Sequence, residues 1–210
     1  MLLALLTFVA GIGICSAQEG VITPAPNIAT WGDASLDISQ GLSLYIDAPA
    51  TERARLISAT EELGIGIKVV KRPVKRNYLN LCIVAESEID EASKFRNFDE
   101  GYTLNISNKG VDIKATTANG LYYGLQSLRL LATNSTTLTC GYVCDAPRFE
   151  YRGILIDISR HFRTKEFLMR QIDMMAEMKM NRLHLHLTDA AGWRIEVESY
   201  PRLTNYAAWR

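Results

Sequence analysis

The amino-acid sequence predicts a small α+β domain followed by the opening strand–helix–strand unit of an α/β fold. Up to Pro147, short strand-like runs alternate with two helix-period segments, which is typical of a sheet covered by two helices on one face. From Arg152 onwards, a strand-like run, a helix-period segment and a second strand-like run follow, with polar residues crowded after each strand. Polar side chains at the carboxyl ends of parallel strands form the active sites of α/β barrels and open α/β sheets.

The composition is that of a globular protein with no preference for a charged partner. Of the 210 residues, 48% are hydrophobic and 22% are charged, which is enough to bury a core. The 23 basic and 23 acidic side chains give a formal net charge of zero. Nucleic-acid recognition normally requires a basic face, so the balance argues against a nucleic-acid partner and is compatible with an uncharged substrate.

The first 17 residues predict a signal peptide cleaved after Ala17, and therefore an exported protein of the periplasm or the extracellular space. The run MLLALLTFVAGIGICSA is apolar, ends in small residues and is too short to persist as a membrane-spanning helix. It departs from the usual pattern because no Lys or Arg precedes the apolar run. A lipoprotein anchored at Cys15 is the alternative, although Ile14 occupies the position where a small residue is expected.

Three cysteines follow the predicted cleavage site. Cys82 lies in an apolar run and is predicted to be a buried, inert thiol. Cys140 and Cys144 flank Gly-Tyr-Val and could close a small disulfide in an oxidising compartment. A metal site is less well supported, because no second cysteine pair or nearby histidine completes one.

The first domain, residues 18–147, is predicted element by element. Residues 18–41 form an extended lead-in with room for one edge strand, and a helix capped by Thr51 runs to Leu63 and stops at Gly64. A second helix spans Asn119–Ala132, with leucines at helical spacing. The strand candidates, of which the last two form a hairpin around Asn108-Lys109-Gly110, are Leu42–Ala48, Gly66–Lys71, Leu79–Ala85, Tyr102–Ser107 and Val111–Ala115. Without clustered histidines, a carboxylate pair or a phosphate-binding loop, this domain is predicted to be structural.

The second domain, residues 148–210, contains strand Arg152–Ile158, a helix capped by Thr164 and strand Arg182–Leu187. The apolar face of the helix is predicted to pack in a core rather than to bind a cofactor; it comprises Phe167, Leu168, Ile172, Met175 and Met178. A closed barrel needs about 250 residues, so two strand–helix units cannot complete one. We therefore expect this domain to be incomplete.

His184 and His186 form a His-x-His pair that a strand places on one face, as in metal-dependent barrel hydrolases. This hypothesis lacks further ligands and gives no role to the segment RGILIDISRHF. The competing interpretation is that both imidazoles are hydrogen-bonded within the barrel wall, and the lack of further ligands favours it over metal binding.

Two motifs carry a resemblance to a known family. RGILIDISRHF and NRLHLHLTDAAGWR resemble the first two strands of the (β/α)8 TIM-barrel catalytic domain of family 20 glycoside hydrolases, the β-N-acetylhexosaminidases. The preceding EGYTLNISNKGVDIKATTANGLYYGLQSLRLL is similar to the α+β domain of bacterial members. The resemblance covers about Ile22 to Arg210, and the motifs occur in the family's order and separation.

The resemblance implies hydrolysis of terminal β-linked N-acetylglucosamine or N-acetylgalactosamine from glycans, without a cofactor. The family's reaction retains configuration and uses the substrate's own 2-acetamido carbonyl as nucleophile. Its general acid Glu and the adjacent Asp lie on a later barrel strand. The adjacent acidic residues of this chain, Glu61-Glu62 and Asp99-Glu100, lie in the first domain and cannot take the place of that pair. The pair is therefore expected beyond Arg210, and the 210-residue chain alone is predicted to be inactive.

Two residues match the family's functional positions. Arg160 resembles the arginine that hydrogen-bonds hydroxyls of the terminal sugar, a role that suits its planar, multidonor guanidinium. Asp189 resembles the aspartate that acts through a histidine to tune the acid Glu. That histidine is also expected beyond residue 210. Ala190 and Ala191 replace an acidic residue and Gln that follow in one common version of the motif, which puts any role of that second acid in doubt.

Each of these residues also has a structural interpretation. Arg160 could cap the first strand or pair with Asp157, which is itself predicted to orient the turn after the strand. Asp189 could be a turn residue. Arg152 is predicted to form an ion pair at the lower face of the barrel, and Trp193 to pack rather than to support a sugar.

A non-catalytic carbohydrate-binding or interaction module is the alternative from another class. In such a module the two strand–helix units would leave strand edges and apolar helix faces exposed unless a partner covers them.

Overall fold

A computed structural model describes residues 22–96 and 98–209 of the chain. The signal segment 1–17, with its cleavage site and Cys15, lies outside these residues, and export stays a prediction. In the first domain the strands are β1 (Ile28–Asp37), β2 (Leu42–Asp47), β3 (Ile67–Val69), β4 (Tyr78–Ile83), β5 (Tyr102–Ser107), β6 (Gly110–Ala115) and β7 (Thr137–Asp145), and the helices are α1 (Ala50–Glu61) and α2 (Ala118–Ala132). The second contains β8 (Gly153–Asp157), α3 (Lys165–Glu177), β9 (Arg182–His186) and the short α4 (Arg202–Asn205).

The first domain is built on one mixed seven-stranded sheet in the order β1-β7-β5-β6-β4-β2-β3. β1, β7, β5 and β6 pair antiparallel, whereas β6, β4, β2 and β3 pair parallel. Both helices pack against one face, and their apolar side chains join alternate strand residues in a single core. Members of this core include Leu44, Leu56, Leu79, Leu104, Ile113, Leu121, Leu125 and Leu128. The α+β prediction of a sheet with two helices on one face is confirmed.

The predicted element positions agree with the structure to within two residues, with two exceptions. The expected edge strand of the lead-in is β1, which lies at the edge of the sheet, whereas its partner β7 has no counterpart in the sequence predictions. Helix α1 begins at Ala50 after Pro49, so Thr51 lies inside its first turn and the prediction of Thr51 as N-cap is wrong. By contrast, the Thr164 hydroxyl accepts the Phe167 N–H at the start of α3, as predicted.

The structure argues against the Cys140–Cys144 disulfide. Both residues lie in the single strand β7, and both are free thiols. Four residues of extended strand span about 13 Å, whereas a disulfide requires Cα atoms within about 7 Å. Cys82 is half-buried rather than fully buried, and burial raises the pKa of its thiol, as expected of an unreactive cysteine.

Arg152 joins the second domain to the first. It stands immediately before β8, and its guanidinium pairs with Glu100 at 2.9 Å and donates to the Tyr123 hydroxyl at 3.2 Å. The same guanidinium donates to the backbone carbonyls of Phe149 at 2.7 Å and Lys179 at 2.8 Å. The predicted structural ion pair of Arg152 is confirmed, and its partner belongs to the other domain.

Lys179 makes a second connection from the turn between α3 and β9. Its side chain is buried, and its ammonium donates to Asp145 and to the Tyr102 hydroxyl, each at 2.9 Å. Burial lowers the pKa of Lys179, and the carboxylate of Asp145 opposes that effect. These two connections fix the strand–helix–strand unit against the sheet at the amino-terminal ends of β8 and β9. The carboxyl-terminal ends of the two strands therefore face away from the connections.

The apolar face of α3 is less buried than predicted. Of the five residues assigned to a core, Met175 is buried, Phe167 and Leu168 are half-buried, and Ile172 and Met178 are 43% and 42% exposed. The prediction of core packing is therefore wrong for the last two, because among the described residues α3 covers a sheet of two strands.

Within the part of the chain that the structure describes, no helix has the length and apolar character needed to cross a membrane.

Candidate active site

The carboxyl ends of β8 and β9 bring the predicted polar residues together. The two strands are parallel neighbours, and Asp157 lies directly opposite His186 in their register. Each is the last residue of its strand. Polar side chains of the two following loops, Arg160 and Asp189, therefore meet at the same edge of the sheet, as the strand–helix–strand pattern predicts.

Asp157 orients the turn after β8. One carboxylate oxygen accepts the backbone N–H of Arg160 at 2.9 Å, and the other lies 3.1 Å from Nδ1 of His186 and 3.6 Å from Nε of Arg160. The N–H of Arg160, followed by the His186 ring, holds the pKa of Asp157 below its usual value. The predicted turn-orienting contact of Asp157 is present, and the carboxylate contacts His186 as well.

Arg160 and Asp189 contact each other directly. Nε of Arg160 donates to Oδ2 of Asp189 at 2.8 Å. The backbone N–H of Ala190 donates to the other carboxylate oxygen at 2.8 Å. The Ala190 N–H is the main cause, and the guanidinium the second, of a lowered pKa for Asp189. A charge-assisted pair of this kind keeps the carboxylate ionised and places a guanidinium at the mouth of the two strands.

His186 joins Asp157, Arg160 and Asp189 in one charged cluster, whereas His184 lies outside it. Nε2 of His186 lies 2.9 Å from the backbone carbonyl oxygen of Thr188 and 4.0 Å from Oδ2 of Asp189. His184 is exposed on the same face of β9. Among residues 22–96 and 98–209, no group of three or more His, Cys, Asp or Glu is arranged to hold a metal ion.

The loops after the two strands are held together by close backbone contacts. Ser159 is fully buried, and its hydroxyl lies 3.1 Å and 3.0 Å from the carbonyl oxygens of Ala191 and Gly192. Gly192 has φ +76°, and a Cβ there would collide with the carbonyl oxygen of Ser159. Trp193 is half-buried, and its indole N–H donates to the carbonyl oxygen of Ile195 at 2.6 Å. The loop carrying Asp189 is therefore fixed against the loop carrying Arg160.

Two family models match the chain. Residues 20–146 match "Glycosyl hydrolase family 20, domain 2", and residues 149–210 match "Glycosyl hydrolase family 20, catalytic domain".

The chain belongs to glycosyl hydrolase family 20.

Curated relatives of this family 20 chain include the N,N'-diacetylchitobiase of Vibrio harveyi, 34% identical over 90% of the chain and 21% of the relative. The β-hexosaminidase of Vibrio vulnificus is 35% identical over 92% of the chain and 22% of the relative. Among solved structures, a mutant Streptomyces plicatus β-hexosaminidase in complex with its product N-acetylglucosamine matches with 33% identity and a TM-score of 0.73. That match covers 89% of this chain and 38% of the solved chain, so the chain spans between about a fifth and two fifths of the length of these three relatives.

Proposed function

We propose that this chain forms part of a β-N-acetylhexosaminidase that removes terminal β-linked N-acetylglucosamine or N-acetylgalactosamine from glycans. Membership of family 20 and relatives described as β-hexosaminidases support the proposal. The observation that carries it within the chain is the contact between Arg160 and Asp189, the two residues that the sequence resemblance assigns to functional positions of the family.

In this proposal, hydrolysis proceeds with retention and is assisted by the substrate. The 2-acetamido carbonyl oxygen of the sugar bonds to the anomeric carbon as the glycosidic bond breaks, and an acidic Glu protonates the leaving oxygen. Water then displaces the acetamido oxygen from the anomeric carbon, and this second inversion gives overall retention. Arg160 supplies a planar group of hydrogen-bond donors for hydroxyls of the terminal sugar. Asp189 holds a histidine that tunes the acid. The Asp-Glu pair and that histidine come from barrel strands other than β8 and β9.

The test uses a chimera in which residues 22–209 replace the matching segment of the Streptomyces plicatus β-hexosaminidase. The chimera is expected to hydrolyse an aryl β-N-acetylglucosaminide, and Arg160→Lys is expected to lower kcat/KM by about 100-fold, because a lysine cannot reproduce the guanidinium's paired donors. Arg163→Lys is the matched control, because Arg163 stacks over Phe167 outside the cluster.

An unchanged kcat/KM in Arg160→Lys would remove the substrate-binding role. The 210-residue chain alone, in the same assay, is expected to show no turnover. Neither Arg160 nor an ionised Asp189 can protonate a leaving group, so measurable turnover would contradict the proposed division of roles.

A further inference from the structure

Asp157 and His186 link the last residues of β8 and β9 through their side chains. They are register partners, and Oδ2 of Asp157 lies 3.1 Å from Nδ1 of His186. Neither residue has a part in the proposed reaction. Both nevertheless contact the segments that carry the two residues with proposed roles, Arg160 and Asp189.

The neighbours of the two ring nitrogens of His186 indicate where the imidazole can carry protons. Nε2 faces the carbonyl oxygen of Thr188 at 2.9 Å, and a carbonyl oxygen can only accept, so Nε2 carries a proton. Nδ1 faces the carboxylate of Asp157, which also can only accept when it is ionised. The N–H of Arg160 lowers the pKa of that carboxyl group and favours the ionised form. The ring satisfies both contacts only as an imidazolium.

The contacts of Asp157, Arg160, Asp189 and His186 form a closed circuit at the ends of β8 and β9. Asp157 accepts the backbone N–H of Arg160, whose Nε donates to Asp189. Asp189 follows Thr188, and the carbonyl oxygen of Thr188 contacts Nε2 of His186. Nδ1 of His186 in turn contacts Asp157, which completes the circuit. Two carboxylates then face one guanidinium and one imidazolium, so the four charges balance. Loss of the charge on Asp157 would leave Arg160 and the imidazolium facing one carboxylate, an excess of one positive charge that His186 can relieve by losing its Nδ1 proton.

We propose that Asp157 and a doubly protonated His186 act as a positioning pair that sets the placement of Asp189 relative to Arg160. The pair touches the backbone on both sides of the cluster, at the N–H of Arg160 and the carbonyl of Thr188. This inference rests on the proposed function for the roles of Arg160 and Asp189. The protonation and the circuit of contacts are testable without a sugar.

The first experiment is a long-range proton–nitrogen spectrum of the 210-residue chain with isotope-labelled histidine, near neutral pH. The chain has three histidines, so His161→Gln and His184→Gln assign the remaining signals to His186. The expected pattern for His186 is an imidazolium. In Asp157→Asn the carboxamide can donate to Nδ1, so the ring is expected to become the neutral tautomer with its proton on Nε2.

Asp173→Asn, an exposed substitution on α3, is the matched control and leaves the imidazolium in place. A neutral His186 ring in the unsubstituted chain, or an unchanged imidazolium in Asp157→Asn, would overturn the inference.

The second experiment measures hydrogen exchange of the Arg160 Nε–H in the same samples. Asp157→Asn keeps an oxygen that can accept the backbone N–H of Arg160, so the turn is retained. Asp157→Asn removes the carboxylate that lies 3.6 Å from Nε of Arg160, so the Arg160 side chain is held less firmly. The bond from Nε to Asp189 is therefore expected to open more often and exchange to accelerate about tenfold, which corresponds to about 1.4 kcal/mol. Equal exchange rates in the two proteins would exclude a positioning role.

The chimera separates this inference from the proposed function. Asp157→Asn in the chimera is expected to lower kcat while KM changes little, because misplacement of Asp189 affects the chemical step. An inactive chimera together with an imidazolium in the unsubstituted chain would contradict the proposed function and leave the positioning pair intact. Normal kcat in Asp157→Asn, together with sugar hydrolysis by the chimera, would overturn the pair alone.

Discussion

Asp157 and Asp189 each hold a negative charge through backbone hydrogen bonds rather than through burial. The donors are the N–H groups of Arg160 and Ala190, and the pKa of each carboxyl group is lowered from 3.8. A carboxyl group whose pKa is lower in the folded state stabilises that state at every pH above its unfolded value. The charged cluster is therefore coupled to folding as well as to the proposed chemistry.

The resulting prediction concerns acid. The stabilisation from Asp157 and Asp189 is fully present above the ordinary value of 3.8 and is lost as the pH falls through the lowered folded-state values. In Asp157→Asn, the free energy of unfolding measured with urea should decrease less across this range. Asp173→Asn should follow the unsubstituted chain. Parallel curves for Asp157→Asn and the unsubstituted chain would show that its carboxylate is not linked to folding.

The cluster shows where prediction from single residues ends. The positions of Arg160 and Asp189 at strand ends follow from hydrophobic patterning, and so does their proximity. The contact between Asp157 and His186 depends on the register of β8 against β9, which patterning alone does not specify. The alternation of His184 and His186 with leucines places them on one face, but it does not reveal that the second one ends the strand beside a carboxylate.

At the scale of elements, helix α2 packs directly against the sheet at two glycines on its buried face. A Cβ at Gly124 would lie 2.5 Å from the Cγ2 methyl of Ile113 on β6. A Cβ at Gly120 would collide with the backbone carbonyl oxygen of Gly101, just before β5. Glycine in a helix interior costs about 1 kcal/mol relative to alanine, so close packing must offset that cost.

This packing predicts that alanine at either position destabilises the protein despite its higher helix propensity. Overpacking costs about 1–3 kcal/mol, which exceeds the gain of about 1 kcal/mol from propensity when the neighbour cannot move. Gly120→Ala, which meets backbone, should lose more stability than Gly124→Ala, which meets a side-chain methyl. Urea unfolding measures both. Gly32→Ala is the control, because its Cβ would lie 3.7 Å from the nearest atom, and a loss as large as that of Gly120→Ala would refute the explanation.

The bounds of β1 and β7 cannot be read from the sequence pattern, and close packing against a glycine is again part of the reason. Trp31 on β1 lies opposite Gly141 on β7, and a Cβ at Gly141 would contact the Trp31 ring at 2.5 Å. The register also shifts between Trp31 and Ser35, which interrupts the alternation of inward and outward residues. Glycine and an irregular register each weaken the period-two pattern, whereas β5 and β6 alternate regularly and were predicted within one residue.

At the scale of the whole molecule, the sheet and the strand–helix–strand unit share buried charges. Lys179, from the second domain, is 8% exposed, and its ammonium lies between Asp145 of β7 and the hydroxyl of Tyr102 on β5. That hydroxyl in turn lies 2.6 Å from the hydroxyl of Ser127 on α2. Removal of one member of a buried ion pair is costly because the remaining charge has lost its partner.

Lys179→Met is therefore predicted to reduce the free energy of unfolding by about 3 kcal/mol. Met keeps an unbranched apolar chain, and the left-handed backbone at this position, φ +55°, strains both residues alike, so the comparison isolates the ammonium. Lys109→Met, at the exposed turn between β5 and β6, is the control and should change stability by less than about 0.5 kcal/mol. A loss below about 1 kcal/mol for Lys179→Met would indicate that the pair behaves as an exposed one.

The Arg152 and Lys179 connections have a practical consequence for anyone dividing this protein into pieces. The two family models meet between residues 146 and 149, yet a cut there would separate Arg152 from Glu100 and Lys179 from Asp145. Each fragment would then expose charged side chains that have lost their ion-pair partners. Poor expression of either half would be a consequence of where the chain was cut. Shuffling with other family members should therefore exchange all four residues together.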